Sequence, residues 1–218
     1  LIFATMIETS PTDRRLLEVA IDHFGRLGRE GASTRAIARD AGTLMSSITY
    51  HFKGKDGLYL ACAEHIASTI RAKTAPIVDR LALPTPDAQA RATIDALIGG
   101  LIVIMMQEDV APMARFVVRE QMSPTRAFDI LYDGAIGHVI EPLVALLMTV
   151  TGDRLGLEEA RIRAFSLLGQ VYALRFGRAA LMRLTRWESV GPRETELARA
   201  AILANVDAIL AELAGNAA

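Results

Sequence analysis

Ser33–Phe52 reads STRAIARDAGTLMSSITYHF, and this stretch decides the fold. It holds two short segments with apolar faces, separated by a glycine. Ile37, Ala38 and Ala41 line one side of the first; Ile48 and Phe52 line one side of the second. Steps of three and four residues place each set on one face of a helix. Ser33 stands where an N-terminal cap is favoured, and Gly42 where a helix closes in the left-handed conformation. The pattern predicts a helix over 34–41, a tight turn at Gly42 and a helix from about 45 to 52. Small residues let the two cross closely while the second keeps an outward face. That is the plan of a helix-turn-helix, whose second helix enters the DNA major groove.

The outward residues of the second helix are Ser46, Ser47, Thr49 and Tyr50. Hydroxyls reach phosphates or base edges, and a thymine methyl packs on a threonine. Arg35, Arg39, Lys53 and Lys55 surround them against one acid, Asp40, so the segment is locally basic. From spacing alone, a capped helical corner with a solvated face is an open alternative.

Working outward, a helix is predicted over Thr12 to Glu30, with Leu16, Ala20, Phe24 and Leu27 on its core face and Gly31 as its stop. A connecting helix starts near Lys55 and runs to about Leu83, where Leu83-Pro84-Thr85-Pro86 breaks it. Further helices are expected over 87–107, 110–121, 125–151, 157–186 and 192–213, with a kink at Pro142. No run alternates in the manner of a strand. The fold class expected is all-α: a DNA-binding domain over 12–55 and a helical bundle over 56–214 for sensing and dimerisation.

The chain has 218 residues, of which 51% are hydrophobic and 22% charged, enough for a sizeable core and too apolar for a disordered chain. Its formal net charge of −1 excludes a protein coated in positive charge, so any cationic surface must be local. Cys62 is the only cysteine, so no internal disulfide forms, which fits a cytoplasmic location. The longest apolar run, Ala96 to Met106, is shorter than the roughly 20 residues a membrane helix needs, so no membrane partner is expected. There is no glycine-rich phosphate loop and no nucleophile elbow. Histidines are few and scattered, and Cys62 with His65 reads as a buried thiol beside a partly exposed imidazole. No enzyme activity, metal or cofactor is expected.

The residues around the turn resemble the TetR family of one-component repressors. Phe24, Leu27, Gly28 and Gly31 carry the likeness, then Thr34, Ile37 and Ala38, then Ala41 and Gly42, then ITYHFKGKDGLYLA from Ile48 to Ala61. SSITYHFKGKDGLYLACAEHIA and FVVREQMSPTRA (Phe116 to Ala127) further resemble a branch that controls export and antibiotic-sensitivity genes. The resemblance implies that Thr34 and Arg35 touch backbone or bases, that Ser46, Ser47, Thr49 and Tyr50 face the groove, and that His51 and Lys55 reach phosphates. A buried His51 bonded to backbone is the alternative. Leu44 departs from the short polar residue that many members carry, so no hydroxyl contact is expected there. The resemblance also implies repression of transcription, relieved by an inducer.

Downstream, the resemblance is loose and the pattern itself is the guide. Met105, Phe116, Arg119, Tyr132, His138, Phe165, Gln170, Tyr172 and Phe176 are candidates to line an apolar cavity with sparse polar anchors, with ordinary core as the alternative. Such a cavity implies a largely apolar small-molecule inducer. Gly169, Ala173 and Gly177 form one smooth strip, and Ala201, Ala204 and Ala208 another. Strips of this kind suit a helix pair meeting its twofold copy as a homodimer; close packing within one chain is the alternative. Six arginines between Arg161 and Arg186, with no acid among them, are expected to pair with Glu158, Glu159, Glu188, Glu194, Glu196 and Asp207. The functional reading is a ligand-responsive dimeric repressor on a palindromic operator. The competing reading is an all-helical carrier or enzyme that binds no specific duplex.

Overall fold

The computed structural model describes residues 11–79, 87–152 and 154–215, and every element among them is helical. In order they are α1 (Pro11–Gly31), α2 (Thr34–Ala41), α3 (Met45–Phe52), α4 (Lys55–Val78), α5 (Asp87–Met106) and α6 (Ala111–Met122). Then come α7 (Arg126–Leu131), a π-helical turn (Tyr132–Ile136), α8 (Gly137–Thr151), α9 (Leu157–Phe176), α10 (Arg178–Thr185) and α11 (Pro192–Gly215). The expected break at Leu83-Pro84-Thr85-Pro86 lies outside the described residues.

The chain folds as two compact units. One holds the described residues up to Ser68 together with Pro112–Tyr132; the other holds Thr69–Ala111 and the residues from Asp133 onward. The boundary expected at residue 55 falls inside the first unit, and α6 and α7, expected in the sensing domain, belong to that unit too.

In the first unit, Leu16, Ala20, Phe24, Ile37, Ala38, Ile48 and Leu58 are all buried. α1 carries a kink at Gly28 before it stops at Gly31. Gly28, not Gly31, takes the left-handed conformation (φ 75°), and Leu27 is exposed. In the second unit, α5, α8, α9 and α11 share one core. Ile94, Leu97, Ile98, Leu101 and Ile102 of α5 meet Leu143, Leu146 and Leu147 of α8 in this cluster. Ala164, Leu167, Leu168 and Val171 of α9 and Ile202, Val206 and Leu210 of α11 complete it. Gln89–Met106 and Arg126–Thr151 are long and apolar enough to cross a bilayer by composition, but α5 supplies much of this core from its buried face.

Three sequence expectations change. The helix expected over 157–186 breaks at Gly177, whose amide donates to the Ala173 carbonyl at 2.8 Å. A Cβ at Gly177 would stand 2.9 Å from that carbonyl oxygen, so the glycine serves this tight turn. In the helix expected over 125–151, the hydrogen-bonding pattern changes at 132–136, upstream of Pro142, and α8 stays helical through the proline. The arginines of 161–186 pair only partly as expected. Arg163 meets Glu159 at 2.9 Å, but Arg161 faces Glu141, and Arg175 and Arg178 turn to the end of α5. There Arg175 donates to the Gln107 carbonyl at 2.8 Å and Arg178 to that of Met106 at 3.0 Å, with Glu108 beside them. They satisfy carbonyls that a helix end leaves open, where cations are favoured.

Candidate nucleic-acid interface

The turn between α2 and α3 is built by local chemistry. The Ser33 side chain accepts from the Ala36 amide at 3.4 Å and caps α2. Gly42 sits at φ 70°, ψ 31°, and the Thr43 amide reaches back to the Ala38 carbonyl at 2.9 Å. This closes α2 as a Schellman motif, and the residue in the left-handed position favours glycine. The exit from α3 repeats the device with a costlier residue, since Lys53 itself adopts φ 61°. Gly57, in the first turn of α4, allows a close approach: a Cβ there would lie 1.7 Å from the Phe52 carbonyl oxygen. This is the physical reason for the glycine in the segment KGKDG that follows α3.

The result is an α3 with Ile48 buried beneath it and a solvent-facing outer side. Ser46, Thr49, Tyr50 and His51 are exposed, and Tyr50 is 76% exposed. The Tyr50 and His51 rings meet edge to face at 5.0 Å between centroids. Arg35 is exposed on the first turn of α2, and Thr34 beside it is half-buried. Two expected contacts sit differently. Ser47 is half-buried, and its hydroxyl accepts from Thr43 Oγ1 at 3.2 Å within the turn. The Lys55 ammonium donates to the Glu30 carbonyl at 3.0 Å, closing the end of α1. Leu44 and Met45, at the head of α3, are 73% and 48% exposed.

Charges around the motif are organised. His23 Nε2 and Asp40 Oδ2 stand 2.9 Å apart, and Arg39 Nε donates to Asp40 Oδ1 at 2.9 Å. The Arg39 hydrogen bond, aided by His23, holds the Asp40 carboxyl below its ordinary range. The acid thus fixes α2 against α1 and neutralises Arg39. Arg35 and Lys53 are exposed, and the Lys53 ammonium donates to the Tyr50 carbonyl at 3.3 Å.

Beneath the motif lies a buried polar pin that the sequence reading missed. The Tyr59 hydroxyl donates to Glu120 Oε1 at 2.6 Å, and Glu120 is 2% exposed. Glu120 Oε2 accepts from the amide of Thr125 at 3.0 Å and from its hydroxyl at 2.9 Å. Burial and the Glu120 carboxylate push the Tyr59 phenol well above its ordinary value. The Tyr59 ring is packed between Phe24, edge-on at 4.9 Å, and Phe116, stacked at 4.6 Å. Along the same helix, Arg115 meets Asp22 at 2.7 Å, and Arg119 donates to the carbonyls of Gly25 and Arg26 at 2.8 Å each. α6 therefore locks α1 and α4 together under the turn. Of the residues expected as ligand contacts, Phe116 is fully buried in this unit and Arg119 is bonded to the carbonyls of α1 just before Gly28. Tyr132, at the end of this unit, packs against Phe128 with centroids 6.1 Å apart.

The remaining ligand candidates lie in the second unit. Met105 and Tyr172 pack against its core, and burial pushes the Tyr172 phenol to about 12. Phe176 leans on Tyr172 at 6.0 Å. Exposed His138 meets the Arg71 guanidinium, and Gln170 accepts from Asn205 at 3.1 Å, bridging α9 to α11. Phe165 is 59% exposed. Beside it on the outer side of α9 lie Ile162, 60% exposed, and the exposed Gly169 and Ala173. Ala201, Ala204 and Ala208 of α11 are exposed as well. Ile162 and Ser166 share a shallow depression with Ile209, which places the two helices side by side and antiparallel. Cys62 is fully buried with its thiol pushed well up by desolvation, and its sulfur lies 3.9 Å from the Leu17 carbonyl oxygen. No cluster of metal-ligating side chains occurs among the described residues.

This geometry has relatives. Residues 16–62 match the family described as bacterial regulatory proteins, tetR family, and residues 90–213 match that of the HTH-type transcriptional dual regulator CecR, C-terminal domain. Over 212 residues, 95% of each chain, the sequence is 31% identical to the HTH-type transcriptional dual regulator CecR of Shigella flexneri. Over 61 residues, 28% of each chain, it is 43% identical to the regulatory protein RaaS of Mycobacterium tuberculosis. Among solved structures, a transcriptional regulator of Pseudomonas aeruginosa PAO1 superposes with a TM-score of 0.66 at 20% identity, covering 91% of this chain and 89% of that one. AibR, solved with isovaleryl coenzyme A and operator DNA, superposes with a TM-score of 0.66 at 15% identity, over 87% of this chain and 95% of its own.

Proposed function

The chain belongs to the TetR family of DNA-binding transcriptional regulators, with a CecR-type C-terminal domain, and on that premise we propose that it is a dimeric repressor released from a palindromic operator by a small molecule. The observation that carries this reading is α3: a short helix held by its turn with hydroxyl, phenol and imidazole groups outward and Arg35 and Lys53 nearby. Phosphates are met by Arg35, Lys53, His51 and the remaining donors of Lys55; base edges are met by Ser46, Thr49 and Tyr50. Thr34 and Ser47 support from the turn.

The uncovered strips of α9 and α11 supply the second half. A face of exposed apolar and small side chains is unfavourable in water and favourable against its own twofold copy. Two heads then meet half-sites about one helical turn apart, near 34–36 Å. AibR was solved with an acyl coenzyme A, and a regulator of Saccharomonospora viridis with choline, both in this fold. We assign the inducer contacts to Met105, His138, Tyr172 and Phe176 of the second unit, where the thioether and the two rings favour a largely apolar inducer. It acts by binding one conformation more tightly than the other. Because α6 and α7 belong to the head, a shift of that segment reaches α1 through Arg119 and α4 through Glu120 without an intermediary.

Selection of duplexes from a random pool by the purified chain tests the proposal. A pseudo-palindromic site, bound with a steep loss of affinity as salt rises, supports it. A carrier or enzyme without DNA specificity would enrich no sequence.

A further inference from the structure

The eight residues of α3, MSSITYHF, include no Arg, Lys, Asn, Gln, Asp or Glu. Bidentate recognition of guanine by Arg or Lys, or of adenine by Asn or Gln, is therefore not available from this helix. What the helix does offer at its leading end is apolar. Leu44 is its N-cap residue, in extended conformation with no side-chain cap bond, and with Met45 it stands in solvent. Both facts run against stability. A Ser, Thr, Asp or Asn at this position would satisfy an open backbone donor that leucine cannot. A leucine in water also gains nothing from its methyl groups. The neighbouring helix is capped by the Ser33 side chain, whereas the head of α3 has no side-chain acceptor for its open donors.

We infer that Leu44 and Met45 determine specificity by packing on thymine 5-methyl groups in the major groove, so that the operator is read at these positions by methyl contact. The inference rests on the DNA-binding reading above and names the base that reading leaves open. The occupant fits on two grounds. The 5-methyl group is the apolar feature a B-form major groove presents. The same motif carries exposed cations, Arg35 on the first turn of α2 and Lys53 at the far end of α3, which match a polyanion and would repel a basic partner.

The test uses the full chain and a duplex it has itself selected from a random pool. Each thymine is replaced singly by deoxyuridine, which removes only the methyl group, and affinity is measured by fluorescence anisotropy. The expected result is a loss at one or two positions per half-site, about fourfold for each, as one buried methyl is worth. In Leu44→Ala and Met45→Ala the same replacement becomes neutral. Leu44→Ser separates recognition from structure: it restores the cap and raises thermal stability, yet loses the thymine preference. If the duplex binds tightly but deoxyuridine is tolerated everywhere, or the preference survives in both alanine variants, the inference is wrong and the DNA reading stands. If no duplex is enriched, both fall.

Discussion

The exposed face of α3 and the exposed faces of α9 and α11 are both surfaces that a lone chain leaves in water, but their chemistry is opposite. α3 is short, carries hydroxyl, phenol and imidazole groups, and has cations at its edges. α9 and α11 are long and present Ile162, Phe165, glycine and alanine, and the polar pairs among them, Gln170 with Asn205 and Arg163 with Glu159, are bonded to each other. Phosphate and groove edges demand the first composition, because a charged, hydrated partner is met by charge and hydrogen bonds. A second protein surface demands the other, because apolar burial is the main favourable term in protein association. The contrast is the reason the proposal gives one face to the duplex and the other to a copy of the chain.

The largest expected effect comes from damage to the apolar face. Phe165→Glu places a charge in the proposed interface and Gly169→Leu fills it; no atom lies within 4 Å of a Cβ at Gly169, so the chain itself tolerates the change. Both should yield monomers by light scattering and lower operator affinity about 100-fold or more, since each head then binds alone. A dimer that survives both substitutions breaks the assignment of that face. Gly177 is unsuitable for this purpose, because its Cβ would collide with its own helix.

On the other face the effect is smaller. Tyr50→Ala and Arg35→Ala should each weaken operator binding by about 1–3 kcal/mol in a titration while leaving the dimer intact. Arg35→Ala should also flatten the salt dependence, by about one unit of slope. Unchanged affinity in both would move the DNA contact elsewhere.

The pin beneath α3 sharpens the comparison from the side of stability. Tyr59→Phe leaves Glu120 Oε1 without its buried partner and should cost about 1–3 kcal/mol in thermal or denaturant unfolding. A pH signature accompanies it. The Tyr59 phenol is raised in the folded state, so its contribution is complete below the ordinary tyrosine value and is lost as pH rises above it. Wild type should therefore lose stability more steeply than Tyr59→Phe above about pH 10. Equal slopes would show that the hydroxyl contributes nothing. The smallest effect is at Lys53, a non-glycine residue at positive φ. Lys53→Gly should stabilise the chain by up to about 1 kcal/mol, by relief of that strain, while weakening DNA binding. Opposite signs in the two measurements identify a residue kept for the duplex.

The comparison also explains what the sequence made legible. The helix-turn-helix was readable because its determinants are local: the Ser33 cap, Gly42 and the three- and four-residue spacing of Ile37, Ala41, Ile48 and Phe52 lie within twenty positions. The small-residue strips of α9 and α11 were readable as surfaces for the same reason. Long-range partners were not. Tyr59 and Glu120 are separated by 61 residues, and nothing in FVVREQM distinguishes a buried glutamate from a solvated one. The acceptors of Arg119 were not legible either, because they are backbone carbonyls, which leave no mark in side-chain identity. Gly31 was legible as the stop of α1, but the kink at Gly28 was not, because it goes with Arg119 bonding the carbonyls of Gly25 and Arg26 from 93 or more residues away. Ser47 was placed outward by periodicity, and the turn claimed its hydroxyl through Thr43.

The central claim is that two copies of one exposed helix are read by one duplex, and stoichiometry with footprint symmetry tests it most directly. Sedimentation of the purified chain with its selected duplex, alongside hydroxyl-radical footprinting, should give two chains per duplex. The two protected patches should be related by a twofold axis about one helical turn apart. One chain per duplex with a single asymmetric patch, or no protection at low salt, would contradict the account.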